Sequence, residues 1–100
     1  MSRKGKITLE VTLATQSDAR EIERFLRALL TPQEIGQVRN RWEALQMIIE
    51  GATQREVRDK LRISIATATR AAHSFQMNRS VVAAVLNKAK GEKIYSSGIK

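Results

Sequence analysis

Apolar and polar residues alternate one by one near the start of the chain, then change to a rhythm of three and four that continues to residue 91. Ile7, Leu9, Val11 and Leu13 alternate with Thr8, Glu10 and Thr12. A period of two with β-branched residues predicts a strand over 7–13. A strand needs a partner. The candidates are its own copy in a second subunit, forming an intersubunit ribbon, and the tail around Lys93-Ile94-Tyr95. From Asp18 onward the pattern is helical. Asp18 and Glu21 have the spacing of an N-cap and its return partner, and Ile22, Phe25, Leu26, Leu29 and Leu30 form one stripe. Thr31-Pro32-Gln33-Glu34 starts a second helix: a capping threonine, a proline at the first helical position and a glutamate that completes a capping box. Its apolar positions are Ile35, Val38, Trp42, Leu45 and Ile49, and Gly51 is placed to end it.

Thr53-Gln54-Arg55-Glu56 is another capping box, opening a short helix that buries Val57 and Leu61. A turn follows at Arg62-Ile63-Ser64. Ser64 caps the next helix, roughly 65–75. Asn78 is placed to cap a last helix with Val81, Val82, Val85, Leu86 and Ala89 on its apolar side. Gly91 stops it. The fold class is therefore mainly α, with roughly five helices and one strand-like segment. The organisation is an N-terminal arm over 1–16, one helical domain over 17–91 and a polar tail over 92–100.

The stretch 53–75 carries the functional information. Two short capped helices joined by a tight turn form a helix-turn-helix, and the second helix of such a unit enters a DNA major groove. The three-to-four rule puts Ile65, Ala68, Ala72 and Phe75 of that helix inward, against Val57 and Leu61. Ala66, Thr67, Thr69 and Arg70 then project elsewhere. Small residues let the backbone approach base edges, and threonine can offer a hydroxyl to phosphates or bases, or a methyl to thymine. Arg70 can hold a phosphate, a guanine or an anionic ligand. Gln54 and Arg55 sit at a helix N-terminus, where backbone N–H groups favour phosphate, and Arg58 lies one turn on.

Charge agrees with this. Of the 100 residues 18 are Lys or Arg and 10 are Asp or Glu, a net charge of +8, which favours a polyanion. There is no cysteine, so disulfide and thiol chemistry are excluded. No apolar run approaches the roughly 20 residues of a membrane span. Met1-Ser2-Arg3-Lys4-Gly5-Lys6 is basic but no long apolar stretch follows it, so a secretory signal is not expected and the expected location is cytoplasmic.

Leu30-Thr31-Pro32-Gln33-Glu34, Arg41, Glu50-Gly51, Thr53-Gln54-Arg55-Glu56-Val57 and Ile65-Ala66-Thr67-Ala68-Thr69-Arg70 resemble the Trp repressor family over roughly residues 18–90. The Gln-Arg-Glu and Ile-Ala-Thr-x-Thr-Arg runs are its most specific part. The resemblance implies an intertwined, all-helical homodimer. Such a dimer binds a pseudo-palindromic double-stranded DNA operator and represses transcription, with L-tryptophan or another small molecule as corepressor. It implies that Gln54, Arg55, Arg58, Ile65, Ala66, Thr67 and Thr69 face DNA. It also implies that Arg41 and Arg70 flank the ligand ring, that Thr31 lines the pocket and that Ser74 holds the ligand amino end. Two arginines can sandwich a flat ring, and a guanidinium suits a carboxylate. This chain has Ala71 where the family has glycine, His73 where asparagine is usual, and Arg62 and Ser64 in place of the reading-head glycines.

Other constellations point to packing. Trp42 belongs to the apolar stripe as core or dimer interface, and Met47 and Met77 read as packing residues. His73 is the single histidine, so no metal set or required cofactor is expected. No nucleophile–base pair, paired catalytic carboxylates or Gly-rich phosphate loop occurs, which argues against an enzyme. Nothing in the chain suggests a surface for recruiting polymerase, which favours a repressor over an activator. The competing class is a basic RNA-binding or ribosome-associated interaction protein in which the helix-turn-helix serves only packing.

Overall fold

The computed structural model describes residues 5–91. Among them are six helices: α1 (Leu9–Ala14), α2 (Ala19–Leu29), α3 (Pro32–Ile49), α4 (Gln54–Leu61), α5 (Ile65–Met77) and α6 (Arg79–Gly91). The strand expected over 7–13 is corrected: most of it is α1. The reason is local hydrogen bonding. Thr8 Oγ1 accepts from the Val11 N–H at 3.1 Å, and the Thr12 hydroxyl donates to the Thr8 carbonyl at 2.9 Å. Threonine side chains that satisfy backbone groups three and four residues away favour a helical turn, whereas a strand needs a second strand. The intersubunit ribbon falls with the strand. The other proposed strand partner, around Lys93-Ile94-Tyr95, lies outside the described residues.

Helix starts follow the capping chemistry. Asp18 accepts from Arg20 and Glu21 N–H groups at 2.7 and 3.2 Å, while the Glu21 carboxylate reaches back to the Ser17 N–H at 3.3 Å, one residue before the cap. Both threonine boxes close reciprocally. The Glu34 N–H donates to Thr31 Oγ1 at 3.1 Å and the Thr31 N–H to Glu34 Oε1 at 2.9 Å. The corresponding distances between Thr53 and Glu56 are 3.1 and 2.8 Å. Thr53→Ala is expected to cost about 1 kcal/mol of stability, measured by chemical denaturation. Asn78 departs from expectation. It is the C-cap of α5, and its side-chain amide donates back to the Ser74 carbonyl at 2.9 Å instead of capping α6.

Gly51, at φ 102°, ends α3 as expected, with the Ala52 N–H returning to the Met47 carbonyl at 3.0 Å. The α4–α5 turn uses a left-handed residue too, but it is Arg62, at φ 56°. The Ile63 N–H there closes onto the Arg58 carbonyl at 3.2 Å.

The core sits where α3, α4 and α5 meet. Ala44, Val57, Ala68 and Ala71 are buried together, rimmed by Met47, Ile48, Ala52, Leu61 and Ile63. Three of the four central residues are alanine, so the helix axes approach closely and Val57 fills the gap. Phe75, Val82, Leu86 and Ile35 extend the buried set toward α6 and the start of α3. The Arg79 guanidinium lies 5.0 Å from the Phe75 ring centroid, a cation–π contact.

Glu23 ties α2 to α3. It pairs with Arg27 at 2.9 Å and with Arg39 at 3.4 Å. The hydrogen bond from Arg27 holds its carboxyl below the usual glutamate range. Whatever this exposed group contributes is present at neutral pH and is lost as pH falls through the lowered folded value.

Much apolar surface remains uncovered. α1 and α2 bury no residue, and Leu29, Val38, Val81 and Val85 are more than half exposed. The radius of gyration is 15.3 Å, against about 13 Å for a compact chain of 100 residues.

Candidate nucleic-acid interface and ligand cleft

α4 and α5 pack against each other. Ser64 Oγ accepts from the Thr67 N–H at 3.0 Å and starts α5. Across the pair, the Thr69 hydroxyl donates to Gln54 Oε1 at 2.8 Å, joining the first residue of α4 to the middle of α5. Both partners are exposed, so this bond lies at the outer edge of the unit.

The inward face of α5 differs from the spacing-based expectation. Ala68, Ala71 and Phe75 are buried, Ala72 is half-buried, and Ile65 is 47% exposed. Ile65 precedes the α4 crossing, so it projects past the core instead of into it. Its exposure agrees with the outward position implied by the family resemblance. Ala66, Thr69 and Arg70 are also exposed, and Thr67 is half-buried beside Ser64.

Gln54 and Arg55 lie exposed in the first turn of α4. The positive end of that helix adds to their attraction for an anion. Arg58 is less free. Its Nε is 2.8 Å from Asp59 Oδ1. That hydrogen bond keeps the Asp59 carboxyl below the usual aspartate range and the guanidinium more firmly protonated. The pairing with Asp59, its neighbour in sequence, was not foreseen from the chain.

Of the four residues assigned to a ligand by resemblance, two come together. Arg41 of α3 and Arg70 of α5 line one cleft of about 430 Å3 with Gln37, Asn40, Ile63, Ser64 and Thr67. No carboxylate lines it, so an anion there meets two guanidinium groups without competition. Arg41 also borders an adjoining hollow of about 280 Å3 that reaches Leu30 and Val38. Thr31 and Ser74 line neither. The Thr31 hydroxyl serves the α3 cap, and the Ser74 carbonyl receives Asn78.

Ala71 also stays out of the cleft. It is packed with Ala44, Val57 and Ala68, so the extra methyl relative to the family's glycine is directed into the core. His73 is exposed on α5. Gln37 and Asn40 line the cleft although the sequence did not single them out. Their spacing from Arg41, four and one residues earlier on the same helix, was the available signal.

A larger hollow of about 690 Å3 lies between the end of α3 and α4. Its lining includes Glu50, Glu56, Asp59 and Lys60. Three carboxylates against one ammonium make it unsuited to a polyanion. Among the described residues no cluster of side chains suits a metal ion, and no helix is long and apolar enough to cross a membrane.

A family model described as Trp repressor protein matches residues 8–90, which takes in α1 to α5 and all of α6 but its last residue. Comparison with curated proteins and with solved structures gives no match. The match, the all-helical architecture and the capped α4–α5 pair agree: the chain belongs to the Trp repressor family, a family of DNA-binding transcriptional regulators rather than enzymes.

Proposed function

We propose that the protein is a homodimeric repressor that binds a pseudo-palindromic operator under the control of a small corepressor. The observation that carries this is the capped α4–α5 pair, with Ile65, Ala66 and Thr69 exposed on α5 and Gln54 and Arg55 exposed beside them. Two copies of α5 enter successive major grooves. Half-sites then lie about 34–36 Å apart, the spacing of helix-turn-helix dimers, Trp repressors among them. Gln54, Arg55, Arg58 and Thr67 fix the register on the phosphates, and Ile65, Ala66 and Thr69 meet the bases.

The dimer is supported by the uncovered apolar surface of α1, α2 and α6 and by the small alanine-rich core. Burying that surface between subunits supplies the stabilisation that a single core of this size lacks. An intertwined pairing covers several helices at once.

The corepressor occupies the cleft between Arg41 and Arg70. L-tryptophan is the family's ligand and suits two guanidinium planes, one of which takes the carboxylate. A ligand bridging α3 and α5 favours one orientation of the reading head, and it raises DNA affinity to the extent that it binds that state better.

Sequencing genomic fragments retained by the purified protein, with and without L-tryptophan, tests this. A palindromic motif enriched only with tryptophan is the expected result. A motif in both samples would remove tryptophan and retain the regulator. Binding without any motif would favour a charge-driven RNA-binding or ribosome-associated protein. Arg41→Ala and Arg70→Ala are expected to abolish the tryptophan dependence.

Asp59→Asn is expected to tighten operator binding severalfold, because it frees the Arg58 guanidinium from its carboxylate partner. Fluorescence anisotropy against a fixed duplex reads this. Unchanged affinity would place Arg58 away from the phosphates.

A further inference from the structure

We infer that the Arg41–Arg70 cleft takes a small dianionic phosphomonoester, in competition with the amino-acid corepressor. The inference rests on the ligand-binding role proposed above for this cleft and names a second class of molecule that it accepts.

Charge is the first ground. Arg41 and Arg70 bring two positive charges, and the lining includes no carboxylate. Arg27, Arg39 and Arg58 are each paired with an acidic side chain, whereas among the described residues neither Arg41 nor Arg70 is. A zwitterion brings one negative charge and one positive. Its ammonium would lie beside two guanidinium groups with no carboxylate to receive it. A phosphomonoester carries close to two negative charges at neutral pH and answers both arginines.

Polarity is the second. Small-molecule pockets are lined mostly by apolar side chains. Of the side chains lining this cleft of about 430 Å3, only Ile63 is wholly apolar. Gln37 and Asn40 each bring an amide NH2 group. Ser64 Oγ and Thr67 Oγ1 lie 2.9 Å apart, and whichever hydroxyl donates, the other keeps a proton to give. These donors suit the acceptor oxygens of a phosphoryl group. The adjoining hollow differs: Leu30 and Val38 are apolar there and Glu34 supplies a carboxylate. That hollow suits the ring and the ammonium of an amino acid. Arg41 and Gln37 border both spaces, so the two ligands exclude each other.

Isothermal titration of the full-length protein with glycerol 3-phosphate, at constant ionic strength, tests this. Saturable binding is expected, with dimethyl phosphate, a monoanion like the DNA backbone, roughly tenfold weaker. Arg41→Ala and Arg70→Ala should each weaken glycerol 3-phosphate roughly tenfold. Asn40→Asp, which puts a carboxylate in the cleft, should do the same. Arg24→Ala, which removes a charge from an exposed position on α2, should not. Far-UV circular dichroism verifies that the variants fold. Saturating L-tryptophan should raise the apparent Kd for glycerol 3-phosphate.

Binding of L-tryptophan without glycerol 3-phosphate overturns the inference and leaves the corepressor reading intact. Simultaneous binding of both overturns the shared cleft. Equal loss in Arg24→Ala and Arg41→Ala would mean attraction to net charge alone, and equal binding of dimethyl phosphate would mean a site for any phosphate, the DNA backbone included. Either result overturns the inference. If neither glycerol 3-phosphate nor L-tryptophan binds, the ligand-binding role of the cleft fails and the inference with it.

Discussion

Val57→Asp is expected to abolish cooperative unfolding. Val57 has no exposed surface and is the largest side chain so enclosed among the described residues. Its neighbours are Ala44, Ala68 and Ala71, none of which can hydrogen-bond a carboxylate through its side chain. Burying an unpaired charge costs at least several kcal/mol. A domain of this size has roughly 5–15 kcal/mol in total. The variant should show no sigmoidal thermal transition by circular dichroism. Lys60→Asp, at an exposed position three residues on, should retain one. A Val57→Asp melt close to wild type would mean that α4 does not pack on α3 and α5 as described.

Operator affinity is expected to fall about a thousandfold between 50 and 200 mM salt. Binding to phosphates releases condensed counterions, and roughly six contacts per dimer produce a loss of that size. Arg55, Arg58 and the first turn of α4 in each subunit supply them. Arg55→Ala removes one contact per subunit, so it should reduce the slope of log affinity against log salt by about two for the dimer. Sequence preference should be unchanged, because a phosphate contact carries no base information. A salt series by anisotropy measures both quantities. A shallow slope would contradict a phosphate-anchored α4.

Local chemistry was the most legible part of this chain. Thr31 with Glu34 and Thr53 with Glu56 mark helix starts that close as read, because a capping box depends on residues only three apart. The same locality explains the failure at 7–13. Seven alternating residues match a strand template, yet Thr8 and Thr12 satisfy the backbone within one turn, and the template holds no information about a missing partner strand. Asn78 failed for a related reason: an asparagine between two helices can serve either, and here it serves the one behind it.

The candidate site was legible only in part. Arg41 and Arg70 were assigned to one site by resemblance, and they do line one cleft. Which face of α5 turns inward depends on how α3 and α4 cross it. Helical spacing fixes which residues share a face and leaves the rotation of the helix undetermined. Ile65 was therefore assigned inward by spacing and lies exposed, and Ala71 is buried in its place. The Thr69–Gln54 bond spans fifteen residues and exists only because two helices meet there.

Arg62 affects how control can reach the DNA. It holds the turn between α4 and α5 in a left-handed conformation without glycine, and a residue with a Cβ has fewer alternative backbone states than glycine has. With the Gln54–Thr69 bond at the other end of the crossing, the two helices form a lever fixed at both ends. The ligand proposed between Arg41 and Arg70 then acts through the crossing of these helices on α3 more than through the turn. On that proposal a small displacement in the cleft shifts α4 and α5 together against α3, and with them the residues proposed to face DNA.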